Sequence, residues 1–275
     1  MLISLILFAP FPFLCRSQNL YDFQQSQKYA DYLFSSKQNT LAAEEYERLI
    51  FFDGNNISLK CRLIKSYRLS GNLISGINRI YSFWGDSLYS MPQCLATEYL
   101  KLQMLNDSSS AVEKFILKSN TLSVQNKSIY QSCNLLLNGK YIEAGKYEKT
   151  AVSDGTIFPA DILLLTERAK KIKFKSPFVA ASLSAIVPGT GKFYTKNWVD
   201  GVISLVFVAS NAWQAHIGFK EKGSRSVYAW TFTTLSASFY IGNIFGAAKA
   251  ARRYNKIKKN EIDNQVYEIV RSDSF

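Results

Sequence analysis

The hydrophobic and polar positions divide the chain into stretches of different kind. Residues 1–14 are apolar apart from Ser4. From about residue 20 to 170, apolar positions recur at helical spacing between short polar breaks, and prolines are few. From 176 to 251 apolar residues dominate in three runs, and residues 252–275 mix charges of both signs. This pattern predicts an all-α chain. It places a signal peptide over 1–18, helical repeats over 20–150, a basic linker helix over 151–175, a membrane domain of two to three transmembrane helices over 176–251, and a charged C-terminal tail over 252–275.

Within the first helical stretch a period is visible. Leu33 is followed by Tyr46 as Tyr67 is by Ile80, and the two pairs are 34 residues apart. Small residues fall at Ala42, Gly76, Ala111 and Ala144, spaced 34, 35 and 33. A small residue lets the second helix of a pair approach the first, and Tyr46 or Ile80 four positions later fills the next groove. The phrases Ala42-Ala-Glu-Glu-Tyr46, Ser66-Tyr-Arg-Leu-Ser-Gly71 and Leu137-Asn-Gly-Lys-Tyr-Ile-Glu-Ala144 resemble the tetratricopeptide repeat, whose period is 34. The family's tryptophan near the start of each unit and its closing proline are absent. The resemblance implies a TPR-like solenoid with a concave surface for a protein or peptide partner.

The apolar stretch carries three runs. Residues 176–190 are short and end at a proline-glycine turn, so they form either a short span or a half-inserted segment. Residues 199–219 and 227–248 are each long enough to cross a hydrocarbon core of about 30 Å, with a charged loop, Lys220-Glu-Lys-Gly-Ser-Arg225, between them. The turn contains Pro188, Gly189, Gly191, Lys192, Phe193 and Tyr194. Proline and glycine break the incoming helix, and the lysine and rings suit a membrane interface. A phosphate loop would need a glycine where Ile186 stands and a hydroxyl residue where Phe193 stands, so nucleotide binding is not expected. Ser238, Gly242, Gly246 and Ala250 form a stripe of small residues at spacing four, expected to pack on another helix of the chain, a second copy being the alternative. Asn211, Gln214, His216 and Asn243 are expected to be hydrogen-bonding glue between spans. The phrases Pro188-Gly-Thr-Gly-Lys-Phe-Tyr194, Asp200-Gly201, Asn211-Ala-Trp-Gln214 and Phe239-Tyr-Ile-Gly-Asn-Ile-Phe-Gly246 resemble a glycine-rich small membrane domain of bacteria, notably Bacteroidetes, often joined to tetratricopeptide repeats. No activity is established for that domain, so none is implied.

Charge and chemistry refine this picture. The formal net charge is +12, and the basic clusters flank apolar runs, which points to the lipid bilayer rather than nucleic acid. With one histidine and no cysteine pair at metal spacing, no metal, cofactor or catalytic set is expected. Cys61, Cys94 and Cys133 are expected to be core thiols. Residues 1–14 fit the apolar core of an export signal cleaved between residues 15 and 19, although no basic residue precedes them. Export followed by three crossings puts the repeats in the periplasm and the tail in the cytoplasm of a bacterial inner-membrane protein. Two crossings would put both on one side. The function expected is a non-enzymatic, membrane-anchored scaffold for protein partners. The alternative is a small transporter, channel or insertion factor with a regulatory repeat domain.

Overall fold

The computed structural model describes residues 22–272. The apolar run at 1–14, and the export signal expected there, lie outside the described residues. Among the described residues the chain is all-helical, with 13 α-helices and no strand. It forms two compact units that meet in sequence between Leu102 and Gln103.

The first unit contains α1 (Phe23–Ser35), α2 (Asn39–Phe52), α3 (Ile57–Leu69), α4 (Leu73–Trp84) and most of α5 (Gln93–Leu105). Successive helices α1 to α4 pack on one another. Helix starts are set locally: Asn56 caps α3 by accepting from the Leu59 amide at 3.2 Å. Ala42, Tyr46, Gly76 and Ile80 are all buried, as the repeat spacing predicts. A Cβ on Gly76 would lie 3.0 Å from Leu102 and 3.1 Å from Tyr67, so this small residue does permit close approach. Tyr46 fills its groove and donates to Asp31 at 2.7 Å, while Arg62 also bonds Asp31; burial pushes the Tyr46 hydroxyl up to about 12. Deeper still, Arg68 donates to Glu98 at 2.6 and 3.2 Å, with both residues buried.

One expectation in this unit is corrected. Cys61 and Cys94 are not separate core thiols but a disulfide, with Cα atoms 6.2 Å apart. The two residues are 33 positions apart, close to the repeat period, and both lie in the first halves of α3 and α5. Cys133 is a buried free thiol, as expected, and burial pushes it up to about 12.

The second unit continues with α6 (Ser109–Lys118), α7 (Val124–Leu137), α8 (Tyr141–Ser153) and α9 (Ala160–Lys170), each packed on the next. Ala144 is fully buried. Ala111 is only half-buried, and the buried place is taken by its neighbour Val112, so the third repeat is shifted by one position from the expected register. Between α7, α8 and α9 the buried Glu148 carboxylate accepts from Ser132 and, at 2.7 Å, from Thr166. Burial raises its pKa against the opposing pull of those hydroxyls.

The chain then forms α10 (Pro177–Ile186), the short α11 (Thr190–Tyr194), α12 (Trp198–Lys222) and α13 (Val227–Arg271). At 45 residues, α13 is the longest element, about 67 Å at 1.5 Å per residue. Its first half is apolar and pairs with α12, and its second half reaches back to α7 and α9. The expected C-terminal tail is therefore a helix with a buried face of Ile262, Val266 and Val270. Lys259 donates to the Leu137 carbonyl at the end of α7 at 3.0 Å, and Tyr267 donates to Asp107. Spacing of 262, 266 and 270 is one helical face, legible in the sequence but masked there by the surrounding charge.

Two outcomes follow. Cys61→Ser is expected to cost about 2–4 kcal/mol, and a reductant should lower the melting temperature of the native chain but not that of the variant. Glu148 has a folded pKa above its unfolded one, so its contribution is complete below about pH 4.3 and is lost as pH rises through the raised folded value. Glu148→Gln, which keeps an acceptor and carries no charge, should therefore gain stability over the native chain as pH rises to neutrality, in melts recorded across that range.

The glycine-rich hairpin as candidate functional site

Ser176 opens α10 by accepting from the Val179 amide at 3.4 Å, with Pro177 in the first turn, where its missing donor costs nothing. From there α10 runs antiparallel along α13. At its start, Asn255 accepts from the Lys175 amide at 2.7 Å and donates to the Lys175 carbonyl at 2.9 Å. In its middle, Ala180 packs with Ala247 and Ala251, all fully buried. At its far end, the Tyr240 hydroxyl donates to the Ala185 carbonyl. The helix then stops, because Pro188 and Gly189 turn the chain, and α11 brings it back.

The hairpin is closed by backbone approach that only glycine allows. Gly189 has φ 92°, and a Cβ there would sit 2.2 Å from the Gly201 carbonyl oxygen on α12. A Cβ on Gly191 would sit 1.9 Å from the Ala180 carbonyl oxygen. Gly201 in turn leaves room for the Phe193 ring, which a Cβ would meet at 2.5 Å. Hydroxyls tie the two arms: Ser184 accepts from the Gly191 amide at 3.0 Å, and Thr190 donates to the Leu183 carbonyl at 2.6 Å. Lys192 reaches α12, donating to Ser204 at 2.6 Å. The Tyr194 hydroxyl accepts from the Ser176 amide at 3.3 Å, and Lys175 lies 4.4 Å over its ring. All six turn residues predicted from sequence thus belong to one structure. They make a packed two-armed hairpin rather than a simple interface turn, and α10, at ten residues, is only about 15 Å long.

The small-residue stripe is corrected. Gly242 and Ser238 are exposed, with open space around Gly242, and Gly246 meets only the Lys192 side chain at 3.5 Å. The buried face of α13 is the neighbouring line Asn243, Ala247 and Ala251, with Ala250 half-buried at its margin. Both lines have a spacing of four, and one residue of shift turns the helix by about 100°. The helices packed on α13, α10 among them, select between the two.

The polar residues of the spans also separate. Gln214 bridges helices, accepting from Tyr228 at 2.8 Å. Asn211 instead donates to the Phe207 carbonyl of its own helix at 2.7 Å. His216 is exposed beside Trp213. Asn243 is buried and neither side-chain polar atom finds a partner among the described residues.

Among the described residues one helical segment, Trp198–Arg225, which is α12 with the turn that follows it, is long and apolar enough to cross a membrane, with mean hydropathy 1.3 and 17% of its apolar window buried. The core helix of a water-soluble protein would be mostly covered, whereas here Trp198, Val202, Ile203, Val206, Phe207 and Trp213 are exposed. Exposed apolar residues continue on α13 at Trp230, Leu235, Phe239, Ile241 and Phe245. Exposed apolar residues in this number mark a surface for a protein partner or a membrane.

Gly191→Ala is expected to destabilise by about 3 kcal/mol or more, since the Cβ meets backbone that cannot move aside. Gly242→Ala should be neutral or stabilising by up to about 1 kcal/mol. Thermal melts in detergent compare the two, and equal losses would restore the Gly242 line as the packed face. Against family models, curated proteins and solved structures, the chain gives no match.

Proposed function

We propose that the chain is a non-enzymatic, membrane-anchored helical-repeat scaffold of the bacterial inner membrane. In this reading the paired helices of residues 20–150 form a TPR-like solenoid that binds a protein or peptide. Support for the solenoid comes from the packed helix pairs that begin at Phe23 and Ile57 in the first unit and at Val124 in the second. Tyr29, Tyr32, Phe51 and Phe52 stand exposed on the first unit and supply aromatic anchors of the kind protein partners use.

The apolar belt on α12 and the first half of α13 carries the membrane reading. In it, these two helices cross the bilayer and α10 with α11 is a re-entrant hairpin, too short for a core of about 30 Å. Two crossings return the chain to the side it left. The packing of the second half of α13 on α7 and α9 supports placing the tail and these helices on one side, in place of periplasmic repeats and a cytoplasmic tail, because packed helices are not parted by a bilayer. The Cys61–Cys94 disulfide favours an oxidising compartment, hence the periplasm. A second reading, with both in the cytoplasm, is favoured by the basic residues at 168–175 and 252–259.

The transporter alternative loses much of its motive, since Asn211 is satisfied within its own helix and His216 faces outward.

Reporter fusions after residue 153 and after the C-terminus should report the same compartment, and carbonate washing should leave the chain in the membrane fraction. Opposite compartments would overturn the two-crossing arrangement, and release by carbonate would overturn the membrane reading. A partner that co-purifies with the native chain should be lost when Phe51 and Phe52 are both replaced by serine. Retention would remove those rings from the binding surface.

A further inference from the structure

Residues 168–175 and 254–258 are about eighty positions apart in sequence, yet residues of both line one cleft. Arg168 closes α9, Lys171, Lys173 and Lys175 follow it, Lys196 follows α11, and Lys258 comes from α13. Together with Tyr254 they surround a volume of about 450 Å³. The only acidic residue lining it, Glu261, is engaged by Lys258 at 2.6 and 2.9 Å. Arg168, Lys171, Lys173 and Lys196 are exposed and form no ion pair among the described residues. Six cations brought together with one occupied carboxylate repel one another, and a multivalent oxyanion is the ligand that relieves this.

The position of the cleft selects the kind of anion. It adjoins the Lys175–Asn255 clamp at the start of α10, where the chain passes from charged helices to the apolar belt. Immediately beyond, Phe178 and Val179 are exposed, Phe178 to 80%. A free phosphate has no use for that apolar wall, whereas a lipid presents phosphate and hydrocarbon in this order. Tyr194 and Tyr254 add rings with polar tips at the same level, as in interfacial belts.

We propose that this cleft binds the phosphate of an anionic phospholipid headgroup, with the acyl chains lying along the exposed face of α10. The lipid then contacts α9, α10, α11 and α13 together and braces the joint between the helical unit and the hairpin. The inference rests on the membrane reading above, but its test does not repeat that one.

Binding of fluorescent phosphatidylglycerol and phosphatidylcholine is measured to the full chain in non-ionic detergent. Phosphatidylglycerol should bind preferentially, and inorganic phosphate should fail to displace it. Replacing Arg168, Lys171 and Lys196 together by glutamine should weaken binding on the order of a hundredfold, at about fivefold for each charge near an anionic surface. Replacing Lys114, Lys146 and Lys149, which carry the same total charge elsewhere on the unit, should leave it unchanged. Equal binding of the two lipids by the native chain would overturn the proposal whatever the variants do. Equal loss in both triple variants would reduce the effect to diffuse charge, and displacement by phosphate would make the cleft a site for soluble phosphate. Either result also overturns it. A fourth chain with Lys171→Arg and Lys196→Arg should bind as the native chain does, and a loss there would tie the effect to folding instead of charge. Release of the chain by carbonate would instead remove the membrane reading itself.

Discussion

The contact on which the second unit depends is the antiparallel packing of α10 on α13, centred on Ala180, Ala247 and Ala251. Its closeness is possible because these are alanines, and it is held at the upper end by the paired hydrogen bonds of Asn255 with the Lys175 backbone. Everything nearby takes its position from that contact. The turn at Pro188 and Gly189 falls where α10 runs out, α11 returns beside it, and α12 begins next to the turn with Gly201 against the Gly189 carbonyl. Dispersion and backbone contact, not hydrophobic burial from water, provide the attraction when the surroundings are themselves apolar.

Because α13 is one unbroken helix, that contact also acts at a distance. The helix joins the apolar hairpin to the face of α7 and α9 with no hinge among its 45 residues. Ile262, Val266 and Val270 bury one side of its far half, and Lys259 satisfies a carbonyl at the end of α7, where a cation suits the helix dipole. A shift of α10 along α13 would therefore be transmitted to the helical unit as a rigid displacement. The cationic cleft lies at the joint between these two parts, where like charges would otherwise push it open.

The first unit is built on a different balance. Its helices bury alternating small and large side chains, with Gly76 beneath Leu102 and Tyr46 in a groove closed by Asp31 and Arg62. The Arg68–Glu98 pair is buried. Such a pair stabilises little in net terms but makes alternative packings costly, because any arrangement that separates the two leaves a buried charge unmatched. The disulfide adds a covalent tie between α3 and α5.

By itself the sequence determined the all-helical class, the division into a polar helical stretch and an apolar one, the buried repeat positions Ala42, Tyr46, Gly76, Ile80 and Ala144, and the membership of Pro188 to Tyr194 in one turn. These depend on periodicity and on residues with special backbone geometry, which are local properties. It favoured Gly242 over Ala247 as a packing line, core thiols over a disulfide, and a tail over a helix at 252–271. Each of those depends on what lies opposite. Two faces of one helix with the same spacing are equivalent until a neighbour covers one of them. A charged segment looks solvated until three apolar residues find a groove, and two cysteines 33 positions apart are merely distant until α3 and α5 bring them side by side. Tertiary structure decided these because the energy of each contact belongs to a pair of surfaces, and one surface alone does not name its partner.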